Sequence, residues 1–498
     1  MTVPLSEVVD NDVPGWLLER SMETTPALTW VAIDGTVSTW NYAELVDHVL
    51  RRAAGLQGRG VERGDVIALV MDNSAEMVIS WLAVIAAGAS AVCVNTRSAA
   101  AELSWILNHS GAIGCIADDN HLAEIYNSSP HLSWLVPTSA LASLDDGARD
   151  WMRPPIESHA LASVLYTSGS TSRPKGVRWT HANCLWAARV NAGHQELTSS
   201  DRYLITLPLF HTNALAYQLL ASTQVGAHVI LTPRFSASRF WQWATTFECT
   251  WTGVVHFIVR ALRSQPVPAA HSFRGWAGSG VVHADDSLAK VPITGWYGMT
   301  ETISHPLYSR VDEIESMPAG SIGRAAPEYQ VRVNPDSGEL LVHGVRGISL
   351  FDGYLHDEEA TKSSLSTDGW FRTGDRVSID EQDNFFFTER LGDVFKVGAE
   401  NVSAAEIEAA LLRTPGVREV CVVAAPDPML TSVPVAFVIP EADVNELELE
   451  SRLQESARTS LADFKKPREY RFVTEFPRST LNKIAKGRLR EQLQESRS

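Results

Sequence analysis

The stretch YTSGSTSRPKG (Tyr166–Gly176) combines two glycines, five serine or threonine residues, an arginine and a lysine within eleven positions. The apolar run LASVLYT (residues 161–167) leads into it, which predicts a loop that leaves a buried strand. Glycine lets backbone N–H groups approach a ligand closely, and consecutive N–H and hydroxyl donors form a nest that binds anions. The stretch therefore predicts a loop that binds the phosphates of a triphosphate. Taken alone, it fits a solvated surface loop equally well.

The spacing within this loop excludes two other kinds of phosphate site. A Walker-type loop requires glycine immediately before its lysine, and Pro174 precedes Lys175 here. The dinucleotide fingerprint requires three spaced glycines, which the loop does not contain. What remains is a mobile cation, Lys175, preceded by a cluster of hydroxyl donors: Ser168, Ser170, Thr171 and Ser172.

The composition of the 498-residue chain limits its partners and its compartment. The net charge of -17 argues against a nucleic acid or an anionic membrane as partner, because the long-range field repels both. Five scattered cysteines predict a reduced cytoplasmic chain with neither a disulfide framework nor a zinc site. The N-terminus lacks the pattern of a signal peptide, and no apolar run approaches the roughly 18 residues of a membrane span.

Short apolar strands alternate with amphipathic helices up to about residue 390, which predicts an α/β fold in which helices cover sheets. From Gly338 the pattern changes to antiparallel strands, and after Gly392 a compact α+β region follows. We place the domain boundary at Leu391–Asp393, which gives a large N-terminal domain (1–391) and a small mobile C-terminal domain (392–498) with a hinge at Gly392. Length alone, at about 150 residues per domain, suggests roughly three units. The predicted strands include 65–71, 90–95, 202–209, 228–233, 338–344, 384–397, 419–426 and 434–440; the predicted helices include 76–89, 213–225, 404–413 and 446–459, and a polar tail ends the chain.

Five further motifs follow the glycine loop in a fixed order, and together with it they resemble the adenylate-forming superfamily. That superfamily contains acyl- and aryl-CoA ligases, adenylation domains of peptide synthetases, and luciferases. The loop variant TSRPKGV and the length of the chain are most similar to the acyl-CoA ligases, including the carnitine/crotonobetaine type. The resemblance covers almost the whole chain. The five motifs are PLFHTNAL (208–215), YGMTE (297–301), GWFRTGD (369–375), ERLGDVFKVGAENVSAAEIE (389–408) and PRSTLNKIAKGRLR (477–490).

The resemblance implies an enzyme that joins a carboxylic acid to AMP at the expense of ATP, with release of pyrophosphate. It implies Mg²⁺ as the metal and coenzyme A as the second substrate, which takes the acyl group as a thioester. One alternative within this fold is an enzyme that only makes the acyl-adenylate and hands it to a separate protein or carrier. Two alternatives of another class are a non-catalytic nucleotide-binding protein and a luciferase-like oxygenase.

The resemblance also implies roles for individual residues of this sequence. Lys483 is the adenylation lysine, and Lys175 follows the departing pyrophosphate. Thr300 donates to phosphate or to the acyl carboxylate, and Glu301 and Thr167 hold Mg²⁺. His211 lines the entrance to the acyl pocket or guides the carboxylate. Read as ordinary structural residues, Tyr297 is a core aromatic, Asp375 a turn residue, Glu301 a helix N-terminal carboxylate, Lys483 a solvated charge and His211 a core group. Tyr297 stacks on adenine, Asp375 accepts from the ribose hydroxyls, and Arg390 contacts ribose or phosphate. The small residues Gly278, Ser279 and Gly280 leave room for a bulky acid or for the edge of adenine. The other implied nucleotide contacts are Thr167, Ser168, Gly169, Ser170, Thr171 and Lys175 in the glycine loop, Gly298, Met299 and Thr300 next to Tyr297, and Lys396.

The acyl pocket is expected between the His211 helix, a strand TGVVHFI (252–258), the turn AGSG (277–280) and the YGMTE region.

Four positions depart from the pattern of the superfamily. Ser172 and Asn482 replace the usual glycines, and Gly392 stands at the hinge where an aspartate or lysine is usual. The pantetheine channel is expected at Gly398 and Ala399, where relatives carry two glycines. A methyl group at Ala399 is either accommodated or crowds that channel, and crowding would hinder thioester formation without affecting adenylation.

Overall fold

The computed structural model describes residues 8, 10–129, 131–146, 150–167, 174–390, 394–441, 444–477, 484 and 486–495, without the side chains of 128, 389, 390, 494 and 495. These residues form two compact units. Unit 1 comprises the described parts of Met1–Thr96, Leu107–Tyr166 and Gly176–Glu389, and unit 2 those of Arg97–Ile106, Thr167–Lys175 and Arg390–Ser498. The expected α/β class, with a large and a small part, is confirmed.

The strands are numbered in chain order. They are β1 (Pro26–Val31), β2 (Val37–Asn41), β3 (Val66–Val70), β4 (Ser90–Cys93), β5 (Gly114–Ala117), β6 (Trp134–Pro137), β7 (Leu161–Thr167), β8 (Lys175–Thr180), β9 (Arg202–Ile205), β10 (His228–Leu231), β11 (Trp251–Gly253), β12 (Gly275–Ala277), β13 (Ser279–Val282), β14 (Ile293–Gly295), β15 (Leu307–Tyr308), β16 (Arg324–Ala325), β17 (Gln330–Val333), β18 (Glu339–His343), β19 (Gly353–Tyr354), β20 (Trp370–Ile379), β21 (Phe385–Arg390), β22 (Val394–Val397), β23 (Glu400–Ser403), β24 (Val417–Asp427), β25 (Thr431–Pro440) and β26 (Glu469–Phe472).

Two large sheets dominate unit 1. The eight-stranded sheet has the order β13-β14-β12-β11-β9-β10-β1-β2, and its interior pairings from β1 to β14 are parallel. The seven-stranded sheet has the order β19-β8-β7-β4-β3-β5-β6 and is parallel from β7 to β6. Parallel sheets need cover on both faces, and the intervening helices supply it. A smaller antiparallel sheet, β17-β18-β20-β21, and the pair β15-β16 complete the unit.

Helices connect most of these strands. They are Val13–Leu18, Tyr42–Gly58, Ala75–Ala86, Ala100–His109, Leu122–Ser128, Ala142–Asp145, His181–His194, Ala221–Val225, Ala237–Thr246, His256–Leu262, Glu358–Ser364, Ala404–Leu411, Glu446–Ser460 and Lys486–Glu495, with a π-helix at Asn213–Leu220. Among the helices in the described part of the chain, none is both long enough and apolar enough to cross a bilayer.

One apolar core joins the two large sheets of unit 1. Ile67 and Leu69 of β3 belong to the same cluster of buried side chains as Val229 and Ile230 of β10. The two sheets are therefore layers of a single domain, and the length-based expectation of three units is wrong. The core forms because the strands are apolar on both faces, as buried parallel strands are.

Unit 2 is built on the sheet β23-β22-β25-β24, with β26 pairing in parallel to β25. Side chains of β24 alternate between two apolar clusters: Val422 packs with Leu453 on one face, and Cys421 packs with Leu489 on the other. This alternation follows from the two-residue period of a strand. The predicted polar tail is wrong in part, because Lys486–Glu495 is a helix that buries Leu489 against the second cluster.

The structure changes two further predictions near the expected acyl pocket. The predicted strand TGVVHFI is wrong beyond its start, since β11 ends at Gly253 and a helix begins at His256. The predicted helix 213–225 exists, but its first part, Asn213–Leu220, has π rather than α geometry. The run LASVLYT coincides with β7, as expected.

Candidate active site

The segment after β14 carries the YGMTE motif and has almost no free space around Gly298. A Cβ at this position would lie 2.6 Å from the Tyr217 hydroxyl oxygen and 2.6 Å from the carbonyl oxygen of Ser304. Only glycine fits here without a shift of its neighbours. The preceding Tyr297 is held by its backbone N–H, which donates to the carbonyl of Leu307 at 3.0 Å. The YGMTE segment is therefore packed tightly against its neighbours and is not a solvated loop.

Tyr297 and Asp375 meet although they are distant in sequence. The Tyr297 hydroxyl donates to Oδ2 of Asp375 at 2.7 Å. Asp375 lies on β20 and is only 4 % exposed. Its backbone N–H donates to the Thr373 hydroxyl at 3.1 Å, which fixes the strand at this residue. Two of the predicted nucleotide contacts are therefore neighbours in unit 1.

A short 3₁₀ turn, Thr300–Thr302, follows the tyrosine. The Thr300 hydroxyl accepts a hydrogen bond from Thr212 at 2.8 Å, and the Thr300 carbonyl accepts one from the Trp179 indole N–H at 2.9 Å. The turn ends at Ile303, which has φ 64° and ψ -39°, and the N–H of Ser304 donates across it to Thr302. This is a γ-turn of positive φ, a rare and strained conformation for a β-branched residue.

Glu301 is held rigidly by neighbours in unit 1. Its side chain is buried, and Oε1 accepts a hydrogen bond from the Tyr354 hydroxyl at 2.9 Å. Its backbone carbonyl accepts a hydrogen bond from Phe351 N–H at 2.9 Å. Tyr354 belongs to β19, which pairs with β8 so that Tyr354 stands opposite Val177. The carboxylate is therefore oriented by the strand next to the one that follows the glycine loop.

His211 lies beside the Thr300 turn, since the adjacent Thr212 donates to the Thr300 hydroxyl. The imidazole is partly exposed and contacts the Phe210 ring edge-on, with 4.7 Å between the ring centroids. Its backbone N–H donates to the Pro208 carbonyl at 3.1 Å. The structure thus brings His211 next to the Thr300–Thr302 turn, where His211 and Thr300 are partly exposed and the Glu301 side chain is buried.

The predicted turn AGSG is tighter than expected, because β12 ends at Ala277 and β13 begins at Ser279. Gly278 alone connects them, and a Cβ there would lie 2.4 Å from a methyl carbon of Ile293. Its carbonyl accepts a hydrogen bond from Trp296 N–H at 3.1 Å, so the turn adjoins the tyrosine segment. Ser279 is exposed, and Gly280 has space around its Cβ position.

Only the two ends of the glycine loop lie within the described residues. Thr167 is the last residue of β7 and Lys175 the first residue of β8, and these strands are neighbours in the seven-stranded sheet. Arg390 is the last residue of β21, with its backbone alone described. The remaining predicted positions lie outside the described residues: Ser168, Gly169, Ser170, Thr171, Ser172, Gly392, Asn482 and Lys483.

The predicted channel residues occupy the tip of a hairpin in unit 2. β22 and β23 pair antiparallel with Val397 opposite Glu400, so Gly398 and Ala399 form a two-residue turn. Gly398 has φ 63°, which glycine adopts readily, and its N–H donates to the Leu430 carbonyl at 2.7 Å. Lys396 lies on β22 opposite Asn401.

Two family models cover most of the chain. The model of the AMP-binding enzyme family matches residues 18–355, and the model of the AMP-binding enzyme C-terminal domain matches residues 406–483. This chain belongs to the AMP-binding enzyme family. The glycine loop and the Tyr297–Glu301 turn of this AMP-binding enzyme both lie within the first match.

Known proteins similar to this AMP-binding enzyme are ligases of coenzyme A. Crotonobetaine/carnitine–CoA ligase of Proteus mirabilis (strain HI4320) is 30% identical, over 93% of this chain and 95% of that protein. A double mutant of o-succinylbenzoate CoA synthetase from Bacillus subtilis, bound with a product analogue, has a TM-score of 0.85 at 28% identity, covering 96% of this chain and 98% of that chain. Mycobacterium tuberculosis fatty acyl CoA synthetase has a TM-score of 0.70 at 28% identity, covering 99% and 100%. The resemblance to the acyl-CoA ligase branch is confirmed.

Three buried titratable side chains near the Tyr297 segment, Tyr217, Tyr329 and His305, are uncharged near pH 7. Burial raises the pKa of Tyr217 and of Tyr329, and both hydroxyls stay protonated. Burial, with the nearby His194, holds the pKa of His305 well below its usual range, so this imidazole carries no charge. Of these neutral groups, the Tyr217 hydroxyl is near enough to the Glu301 carboxylate for that carboxylate to contribute to its raised pKa.

Sequence reasoning missed the residues that hold the site in shape. Thr212 follows the predicted His211 in the PLFHTNAL motif, and that position could have indicated its contact with Thr300. Tyr354 contacts Glu301, and Trp179 contacts Thr300, but neither residue belongs to one of the motifs. Their roles follow from the pairing of β8 with β19, which the sequence pattern does not specify.

Proposed function

We propose that this chain activates a carboxylic acid with ATP and then transfers the acyl group to coenzyme A. The observation that carries the proposal is the arrangement of Tyr297, Thr300, Glu301 and Asp375 at one edge of unit 1, in a chain of the AMP-binding enzyme family. The test is pyrophosphate release across a panel of acids, measured with and without coenzyme A. The first members of the panel are crotonobetaine, carnitine, o-succinylbenzoate and fatty acids, which are chosen because they appear in the names of the similar proteins. Absence of acid-dependent release with every acid contradicts the proposal.

The proposed chemistry explains why these residue types are needed. A carboxylate is a poor acyl donor, and attack of its oxygen on the α-phosphorus of ATP forms an acyl–AMP anhydride while the bond to pyrophosphate breaks. Negative charge gathers around the phosphorus, and positioned donors and cations stabilise it. Asp375 accepts hydrogen bonds from the ribose hydroxyls, Tyr297 packs against adenine, and the Thr300 hydroxyl donates to phosphate or carboxylate. Lys175 and Lys483 supply positive charge, the former to the leaving pyrophosphate.

The residues present fit a magnesium ion that is held mainly by phosphates. No group of three or more metal-binding side chains occurs within the described residues, so a cage made of protein alone is not found there. Mg²⁺ suits the remaining arrangement, because it keeps waters and binds through one or two carboxylates together with substrate phosphates. Glu301, oriented by Tyr354, is the carboxylate we assign, with Thr167 beside the phosphates. When bound, the ion would neutralise phosphate charge.

We expect Glu301→Gln to raise the magnesium concentration needed for half-maximal adenylation by about 10-fold or more, because the amide loses the charge that Mg²⁺ prefers. The measurement is pyrophosphate release against MgCl₂ at fixed ATP. Tyr354→Phe is the matched control, since it removes the hydroxyl that orients Glu301 and keeps the carboxylate; its magnesium requirement should move less. An unchanged requirement in Glu301→Gln would remove Glu301 from the metal site.

The second half-reaction rests on the hairpin that carries Gly398 and Ala399. We assign the domains to 1–391 and 392–498, with Gly392 as the hinge whose rotation exchanges the two half-reactions. We assign Arg390 to ribose or phosphate and Lys396 as a further nucleotide contact. A second candidate is an enzyme that stops at the acyl-adenylate and passes it to an acceptor protein; the methyl group of Ala399 at the hairpin tip favours it.

A cytoplasmic location belongs to the same proposal. It is supported by five buried cysteines, all in described residues and none in a disulfide.

Ala399→Gly separates these two candidates. If the methyl group crowds the pantetheine channel, the variant makes acyl-CoA faster than the parent, by about 2- to 10-fold, while pyrophosphate release with acid and ATP stays level. The two rates are measured on the same enzyme preparation. Glycine at the second turn position keeps the hairpin, because Gly398 already supplies the positive φ. Equal acyl-CoA rates would mean that the channel accommodates the methyl group.

A further inference from the structure

Two carboxamide side chains face each other on the π-helix that begins just after His211. Nε2 of Gln218 donates to Oδ1 of Asn213 at 2.8 Å. The two residues are five apart, and the π-helix bonds residues at that spacing, so its geometry aligns them where an α-helix does not. Short π segments recur at functional sites. Here the π turn has a visible local result, which is the pairing of Asn213 with Gln218.

The neighbouring strand leaves room for this pair. Gly253 ends β11, and a Cβ at that position would lie 2.2 Å from Nε2 of Gln218 and 3.3 Å from Oδ1 of Asn213. Any larger residue at 253 displaces the carboxamide. The next residue, Val254, donates its N–H to the Ala277 carbonyl at 2.7 Å, immediately before the Gly278 turn. The pair is therefore adjacent to the elements between which the acyl pocket is expected.

Gln218 has an unmet hydrogen-bonding group. Its side chain is 0 % exposed, and Oε1 has no hydrogen-bond partner among the described residues. Other buried carboxamides in unit 1 use both ends: Oε1 of Gln195 accepts from the Tyr203 hydroxyl and its Nε2 donates to two carbonyls, and Asn183 is likewise bonded through Oδ1 and Nδ2. A buried acceptor without a partner costs folding free energy, so its retention requires a reason.

We propose that Oε1 of Gln218 accepts a hydrogen bond from the acid substrate, so that this enzyme prefers acids whose chain carries a hydroxyl, amide N–H or amine over hydrocarbon acids of the same shape. This inference rests on the proposed function and concerns the specificity of the same site. Asn213 is a positioning residue, because its Oδ1 fixes which end of the Gln218 amide is left for the substrate. A site built to hydrogen-bond a substrate group rejects analogues that lack it, since its own polar atom then stays unpaired.

The distance along the helix guides the choice of probe. Gln218 is seven residues after His211, and because a π-helix rises less per residue than the about 1.5 Å of an α-helix, the two residues lie less than roughly 10 Å apart along the axis. The probes are therefore ω-hydroxy acids of four to eight carbons, each paired with the acid in which methyl replaces the hydroxyl, together with 4-hydroxybenzoate and 4-methylbenzoate. Acid-dependent pyrophosphate release gives kcat/KM for each member of a pair.

We expect wild-type enzyme to favour at least one hydroxy acid over its methyl partner by about 10-fold or more. Gln218→Met keeps the length of the side chain and removes the acceptor, and it should bring that ratio to about 1 or below while activity on the methyl acid persists. Gln195→Met is the matched control, because Gln195 is equally buried and fully bonded; it should leave the ratio unchanged. Gly253→Ala leaves residue 218 as glutamine but displaces its carboxamide, and it should therefore also lower the ratio.

Thermal unfolding provides a readout that does not depend on activity. Gln218→Met should lower the Tm less than Gln195→Met does, because it loses the hydrogen bond to Asn213 but also removes an unpaired buried acceptor, whereas Gln195→Met loses three hydrogen bonds. Three results would overturn the inference and leave the proposed function standing. They are a wild-type preference for the methyl acids, an unchanged ratio of hydroxy-acid to methyl-acid kcat/KM in Gln218→Met, and equal losses of Tm in both variants. Absence of release with every acid overturns the proposed function and the inference with it.

Discussion

Lys483→Ala should slow acid-dependent pyrophosphate release by about 10²–10³-fold, which is the usual cost of removing one positioned group that stabilises transition-state charge. ATP binding should remain, because the adenosine contacts proposed for Tyr297 and Asp375 lie in unit 1. Acyl-CoA formation from a supplied acyl-adenylate should also remain, since that step no longer develops charge at the α-phosphorus. Single-turnover assays of the two half-reactions measure this separation.

The matched control is Lys486→Ala, three residues further along the same basic segment. Its ammonium group pairs with Oε1 of Glu408 at 2.7 Å within unit 2, which gives it a structural role in that unit. Loss of this pair should leave adenylation within about 3-fold of the wild type. Equal losses of adenylation rate in the two variants would indicate a general effect of basic charge. Normal adenylation by Lys483→Ala would contradict the assignment of Lys483 as the adenylation lysine.

Asp375→Asn should weaken AMP binding by about 10²-fold, because a buried carboxylate that accepts two ribose hydroxyls makes two charge-assisted hydrogen bonds. Asparagine keeps the size of the side chain and one acceptor oxygen for the Tyr297 hydroxyl, so the surrounding β20 strand should remain intact. Isothermal titration calorimetry with AMP measures the change in Kd, without any need to know the acid.

Tyr297→Phe provides the comparison for this variant. It removes the hydroxyl that donates to Asp375 and keeps the ring, so the loss of AMP affinity should be less than about 10-fold. An AMP affinity in Asp375→Asn equal to that of the wild type would mean that the carboxylate only anchors Tyr297 and does not contact the ribose.

The parallel strands and their helices could be predicted because their patterns are local. The apolar run 65–71 contains β3, and LASVLYT coincides with β7, since each is a short continuous run bounded by turn residues. The motifs placed Tyr297, Glu301 and Asp375 in a common site before any fold was known, and the structure brings Tyr297 and Asp375 within one hydrogen bond.

The remainder depends on tertiary packing. The π turn at Asn213–Leu220 has ordinary helix-forming composition, and the sequence around Val254 reads as a strand although a helix begins at His256. The contact of Tyr354 with Glu301 requires β19 to pair with β8, and strands so distant in sequence have no pattern that specifies their pairing. The single core of unit 1 likewise emerges only when both large sheets are present.

The γ-turn at Ile303 has a consequence for the proposed nucleotide site. A β-branched residue in this conformation costs about 1–3 kcal/mol, and the surrounding fold supplies that free energy when the protein folds. The turn that presents Thr300 and Glu301 is therefore pre-organised, and arrival of the ligand does not have to bend the backbone there. Affinity at this edge should reflect direct contacts with little entropy lost to local ordering, which is the thermodynamic signature of a rigid receptor.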